Sequence, residues 1–134
     1  MKFRNFLSYG NYWTDIDLDA ANLNILVAKN GQGKSSLVDA IVFGLFGKPY
    51  RKINKPNLIN SINGKDLLVE IEFTTGDKTI MVRRGIKPNI FEIWCNGDML
   101  NQDAAQRDYQ KHLEQQILKL NFRSFTQEIG RAHV

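Results

Sequence analysis

Ile16 and Leu18 alternate with Asp15 and Asp17, the two-residue period of a half-buried strand. The pattern predicts a strand over residues 12–18 (YWTDIDL), joined through Ser8-Tyr9-Gly10-Asn11 to an earlier strand over residues 1–7 (MKFRNFL). Residues 24–28 (NILVA) form a short unbroken apolar run, the form of a strand buried on both faces. The period then changes. Leu37, Ala40, Ile41, Val42, Leu45 and Phe46 predict a helix over 35–46 with a wide apolar face. Gly47 suits its C-terminal cap, and Pro49 prevents continuation. Residues 48–66 are basic and polar, carry Pro49 and Pro56, and read as a surface excursion. Three strands follow, over 67–73, 79–84 and 90–95, with Thr74-Thr75-Gly76-Asp77 as one turn. Asn96-Gly97 ends the third strand with a strong hairpin signal, so an antiparallel meander is expected. A last helix is predicted over 104–120, with Asp103 as its cap and Gln106 completing a capping box. Tyr109, Leu113, Ile117 and Leu120 would share one face of it, Asn121 would end it, and residues 122–127 would begin a further element.

The 134 residues suffice for one domain with one core. Hydrophobic residues make up 43% and charged residues 24%, a globular composition. No apolar run approaches the ~20 residues of a membrane span, and the start Met-Lys-Phe-Arg-Asn-Phe does not read as a signal peptide. The one cysteine, Cys95, has no internal disulfide partner and reads as a buried strand residue, which fits a reducing cytoplasm. A net charge of +4 permits nucleic-acid contact without implying it. Residues 128–134 (EIGRAHV) resemble the translation of a common sequencing-library adapter joined at Glu128. They are set aside from fold reasoning, with the expectation that the chain is an N-terminal fragment.

The chemistry concentrates in Ala28-Lys29-Asn30-Gly31-Gln32-Gly33-Lys34-Ser35, which fits the form [Ala/Gly]-x-x-x-x-Gly-Lys-[Ser/Thr] of a phosphate-binding loop. Gly31 and Gly33 let the backbone turn its N–H groups inward around phosphate oxygens. Lys34 reaches the β- and γ-phosphates, and the Ser35 hydroxyl can ligate Mg²⁺. The loop sits between a buried strand and an apolar helix, whose N-terminus adds partial positive charge. Ala28 ends the strand and needs no phosphate contact, so a methyl there is tolerable. Such loops serve kinases, GTPases, motors and transport ATPases alike, so the loop leaves the reaction open.

The segments LNILVAKNGQGKSSLVDAIVFGLFGKP, LINSINGKDLLVEIEF, VRRGIKPNIFEIWCNGDMLN and LNFRSFTQ narrow it. With the strand–turn–strand that precedes them, they resemble the N-terminal lobe of SMC-like DNA-repair ATPases of the SbcC type. They are similar to the large-subunit form found with the recombination endonucleases of T-even-like tailed phages. The resemblance runs over residues 1–127. It implies an α/β P-loop NTPase fold: the N-terminal lobe of an SMC/ABC-type AAA ATPase head, with a mixed sheet, an antiparallel meander and a P-loop helix. It implies ATP and Mg²⁺ as cofactors. Asn30, Gly31, Gly33, Lys34, Ser35 and Ser36 match the phosphate-binding loop, and Ser35 the Mg²⁺ ligand. The implied partners are an SbcD-type metallophosphoesterase nuclease, double-stranded DNA, the C-terminal lobe of the same chain and a second head in a homodimer. The implied setting is the cytoplasm of a phage-infected host, with no membrane.

Two positions depart from the family pattern. Many relatives carry an Arg shortly after the first Asn-Phe, near the nucleotide; here Leu7 follows Asn5-Phe6. Gln127 falls too early to be the family's Q-loop glutamine. The sequence holds no apolar run ending in Asp-Glu of the Walker B kind and no Leu-Ser-Gly-Gly signature, so no catalytic residue is assigned. A structural SMC-type DNA tether without a nuclease, or another P-loop enzyme such as a kinase, are the alternatives. A kinase fits less well, because kinases continue in parallel βα units rather than a meander.

Weaker features have plainer readings. Lys48, Arg51, Lys52 and Lys55, and again Arg83, Arg84 and Lys87, form basic clusters suited to a phosphate backbone or simply to solvated surface. Arg83 and Arg84 are successive strand residues and should face opposite ways. His112 reads as an exposed helix residue, and Trp13 and Trp94 as packing residues in strands.

Overall fold

Alternation and turn chemistry build the sheet. In the computed structural model, which describes residues 1–7, 9–15, 34–100, 106–119 and 122–124, it is made of β1 (Lys2–Arg4), β2 (Thr14–Asp15), β3 (Leu67–Thr75), β4 (Lys78–Ile86), β5 (Ile90–Cys95) and β6 (Asp98–Met99). The order is β2-β1-β3-β4-β5-β6, and each pairing is antiparallel. The meander is the expected one. β3 and β4 reach Thr75 and Lys78 because the reversal tightens onto Gly76-Asp77, with Gly76 at a φ of +62°, and β4 also runs on past residue 84 to Ile86, opposite Leu67. Asn96 and Gly97 both take positive φ, as a two-residue hairpin of this hand requires. The strand expected over 24–28, which would make the sheet mixed, lies outside the described residues.

Register sorts the two faces. Val69 stands opposite Arg84, Ile71 opposite Val82 and Phe73 opposite Ile80, on the face that carries the core. The outer face holds a row of alternating charge: Asp15, Lys2, Glu70, Arg83 and Glu92 stand side by side across five strands. Lys2 and Arg83 reach Glu70 at 3.5 and 3.1 Å, and Arg83 reaches Glu92 at 3.5 Å. Opposite charges side by side across neighbouring strands are favourable, and such a row suits a solvated face.

Helix α1 (Lys34–Phe46) lies on the core face. Its residues 37–46 are all buried, so the helix is enclosed all round rather than along one stripe. Phe3, Phe6, Phe43, Leu58 and Val69 form the centre of this core. A second cluster of Ile80, Val82, Ile93, Tyr109 and Leu113 lies under helix α2 (Gln106–His112), with Phe73 and Leu118 touching both clusters.

Three expectations change. β1 ends at Arg4, not at residue 7, because Asn5 and Leu7 turn into positive φ and Phe6 leaves the strand to bridge Ile59. Residues 48–66 are not a purely surface excursion: Pro49, Leu58, Ile59 and Asn60 are buried, and the Lys55–Leu58 turn drives Leu58 into the core. The last helix departs from α geometry after His112 and continues as a π-helix over Leu113–Leu118, ending at Lys119 with φ 55°. Asp103, Leu120 and Asn121 of the predicted helix lie outside the described residues.

Gly85 marks the tightest approach in the sheet. A Cβ there would stand 2.7 Å from the Leu67 carbonyl oxygen, which is backbone and cannot swing aside. Gly85→Ala is therefore expected to cost about 2 kcal/mol, as overpacking does. A urea midpoint unchanged from wild type would contradict this.

Candidate functional site: the N-terminus of helix α1

Helix α1 opens at Lys34, so the structure brings Lys34, Ser35 and Ser36 together in its first turn. Ala28, Asn30, Gly31 and Gly33 lie outside the described residues. The first N–H groups of an α-helix have no partner within it, and no acidic residue occupies this first turn. A first turn without an acidic residue suits an anion such as a phosphate chain.

The opposite requirement is a helix that does not move. Within α1, Asp39 is fully buried. Its two carboxylate oxygens accept from the Arg51 backbone N–H at 2.9 Å and from Arg51 Nε at 2.5 Å. The pair ties the 47–60 segment to the helix one turn beyond the phosphate motif.

The far end is capped from the sheet. Gly47, at φ +82°, donates its N–H to the Phe43 carbonyl at 2.7 Å. Arg84 takes the next carbonyls: Nε donates to Gly44 O at 3.1 Å and Nη2 to Leu45 O at 3.5 Å. Its guanidinium lies 3.7 Å over the Phe91 ring. Desolvation lowers this guanidinium to about 9 while Glu114 opposes the shift, so it stays cationic at neutral pH. A cation at a helix C-terminus is favoured by the dipole.

A third fastening joins the loops beside β1. Asn5 is fully buried at φ 53°. Its Nδ2 donates to Asn11 Oδ1 at 3.0 Å and to the Asp66 carbonyl at 3.1 Å, while its Oδ1 accepts from Asn63 Nδ2 at 2.7 Å. Asn60 Nδ2 donates to the Leu7 carbonyl at 2.8 Å, and Asn60 Oδ1 accepts from the Ile62 and Asn63 N–H groups at 3.1 and 3.3 Å.

These placements reassign several basic and aromatic residues. Arg84 is buried as a helix cap and Arg83 faces the other way, within the charge row, as their alternation predicts. Arg51 is committed to Asp39, and Lys48 sits 4.0 Å over the Phe122 ring. Lys52 and Lys55 are exposed. Trp13 precedes β2 rather than lying in a strand; it is 41% exposed, with Lys2 and Arg4 at 4.6 and 4.8 Å from its ring centre. Trp94 lies in β5 and its Nε1 donates to Glu92 at 3.1 Å. Cys95 is in β5 as expected but only half-buried, and His112 is exposed.

The motif thus pointed to the helix start and missed its three fastenings. One signal was present: Asp39 is the lone charge inside an apolar helical run.

The family model of the AAA domain matches residues 1–129. The chain belongs to the AAA domain family. This AAA domain is similar to "Exonuclease subunit 2" of Enterobacteria phage T4, at 43% identity over 127 residues, 95% of the chain and 22% of the relative. It is equally similar to the protein of the same name from Escherichia phage RB69, at 43% over 127 residues. The "DNA double-strand break repair Rad50 ATPase" of Thermoplasma acidophilum is 37% identical over 122 residues, 85% of the chain and 13% of the relative. These relatives bear out the SbcC-type resemblance read from the motifs. The AAA domain chain spans about a fifth of the length of its phage relatives. No solved structure matches it. Among the described residues, no helix is long and apolar enough to cross a membrane.

Proposed function

We propose that residues 1–127 are the ATP-binding lobe of an SMC/ABC-type ATPase head acting in DNA recombination and double-strand-break repair. The observation that carries this is one coincidence. In a chain of the AAA domain family, Lys34, Ser35 and Ser36 of the motif open a helix that has no acidic residue in its first turn and is buried along residues 37–46.

In this reading the Gly31 and Gly33 backbone and Asn30 wrap the phosphates, Lys34 neutralises the β- and γ-phosphates, and Ser36 adds a hydroxyl at the helix start. Ser35 would hold Mg²⁺, which when bound neutralises phosphate charge. The name "Exonuclease subunit 2" of the phage relatives supports a nuclease partner; in this reading that partner is of the SbcD type, and ATP binding and hydrolysis in the whole protein gate its access to double-stranded DNA. The C-terminal lobe and a second head complete the site in the host cytoplasm, and residues 128–134 are a non-native tail.

Phosphoryl transfer needs a positioned water and a full metal site. Lys34 and Ser35 supply only part of this. The chain by itself is therefore expected to bind MgATP weakly and to release no measurable phosphate. Titration with a fluorescent ATP analogue should show Lys34→Ala weakening that binding at least about ten-fold, or about 1.4 kcal/mol. Equal binding by wild type and Lys34→Ala would overturn the phosphate-loop reading. Robust turnover lost in Lys34→Ala would overturn the half-site reading.

A further inference from the structure

The C-terminus of α1 carries a joint that the phosphate motif does not explain. Two side chains from different elements converge on its last carbonyls. Arg84 comes from β4 and bonds Gly44 O and Leu45 O. Gln110 comes from α2, and its Nε2 donates to the same Leu45 O at 3.1 Å. Arg84 Nη2 donates to Gln110 Oε1 at 2.6 Å, so the two are also bonded to each other. Gln110 Nε2 continues to Glu114 Oε2 at 3.2 Å, inside the π-helical stretch.

Space is kept for this arrangement. A Cβ on Gly47 would meet Arg84 Nη1 at 2.8 Å, and the φ of +82° there already favours glycine. The Phe91 ring closes the other side of the guanidinium.

We propose that Arg84 is a positioning residue that, with Gln110, couples the phosphate-binding end of helix α1 to the π-helical segment Leu113–Leu118. The proposal rests on the phosphate-loop reading above. Three properties support it. First, α1 is enclosed along residues 37–46, so a displacement at its first turn is carried along its axis, about 20 Å for a helix of this length. Second, the Arg84–Gln110 pair joins α1 to α2 by side-chain hydrogen bonds: both side chains donate to the Leu45 carbonyl of α1, and Gln110 belongs to α2. Third, the receiving segment is π-helical. A π-helix holds one more residue in each hydrogen-bonded ring than an α-helix, is rare, and recurs where a helix changes register for function. Coupling between two sites requires an element with two arrangements.

The joint differs in kind from the Asp39–Arg51 pair, which fastens α1 to a loop beside it. Arg84 and Gln110 fasten α1 to another helix. A purely structural cap would stabilise α1 and leave α2 indifferent to what binds at the other end.

Hydrogen–deuterium exchange on this chain, with and without millimolar MgATP, separates the possibilities. In wild type, MgATP should slow exchange in 37–46 and also in 109–118, the latter by about five-fold, a typical coupling between sites. Gln110→Ala, which leaves the Arg84 bonds to Gly44 and Leu45, should keep the slowing in 37–46 and lose it in 109–118. Arg84→Gln should do the same, and Arg84→Lys, a cation without the planar fork, should restore part of α1 stability but not the response of 109–118. Should Arg84→Gln fail to fold, Gln110→Ala alone carries the test. Slowing of 109–118 that persists in Gln110→Ala overturns the coupling and leaves the phosphate site standing. A wild type in which MgATP slows neither segment overturns the phosphate-loop reading, and the joint with it.

Discussion

Arg51→Ala is expected to destabilise the chain by about 3 kcal/mol, although Arg51 is itself 44% exposed. An exposed ion pair is ordinarily worth little. Here the two partners are not alike, because the Asp39 side chain is fully buried. Removing Arg51 Nε leaves a carboxylate in the interior with the Arg51 backbone N–H, at 2.9 Å, as its recorded partner. Breaking a buried pair from one side costs far more than the pair contributes. Two comparisons follow from that asymmetry. Asp39→Asn keeps the shape and an acceptor without the charge, and should cost less than Arg51→Ala. The double variant Asp39→Ala/Arg51→Ala should be more stable than Arg51→Ala alone, since no orphaned charge remains. Guanidinium chloride midpoints for the four proteins decide it. If Arg51→Ala stays within about 0.5 kcal/mol of wild type, the pair is an ordinary surface bridge and does not anchor the helix.

The parts of the fold written in local pattern were legible. The meander follows from alternation in 67–73, 79–84 and 90–95 and from two turns whose residues favour positive φ. The start of α1 follows from the Gly-Lys-Ser-Ser motif and the apolar run behind it. What was not legible depends on contacts far apart in sequence. Asp39 and Arg51 are 12 residues apart, Arg84 and Gly44 are 40, and Asn5 and Asn63 are 58. Asp39 apart, the polar side chains among them look solvated in their own windows. Residues 48–66 misled for the same reason: their composition is polar, but the adjacent pair Leu58-Ile59 turns inward because Phe6 and Leu7 come to meet it. The π-helical end of the last helix has no local marker, since its apolar spacing suits an α-helix equally well.

A shared logic connects the three fastenings. A phosphate loop works by holding backbone N–H groups still before the ligand arrives. The apolar core alone orients α1 but does not fix its position along its own axis, because dispersion contacts are non-directional. Asp39 on the shaft and Arg84 at the end supply directional bonds that do. The Asn5 network then fixes the loops that run past the same core.

Asn5→Ala should carry a larger penalty than Arg51→Ala, about 4 kcal/mol. The side chain makes three hydrogen bonds, each worth about 1 kcal/mol and more where a partner is left unpaired. The backbone adds its own term. At φ 53°, alanine pays about 1 kcal/mol that asparagine, which tolerates the left-handed region, largely avoids. Asn5→Gly separates these contributions: it relieves the backbone but still loses the three bonds, so it should lie about 1 kcal/mol above Asn5→Ala. Asn5→Asp should also be costly, because it replaces the Nδ2 donor with an acceptor facing Asn11 Oδ1 and the Asp66 carbonyl. Urea denaturation of the three variants gives the order. Because Asn5 fastens both the 9–11 loop and the 60–66 turn, hydrogen exchange should also rise in both segments together in Asn5→Ala. A loss below about 1 kcal/mol, or opening confined to one of the two segments, would show that the loops hold without Asn5 between them.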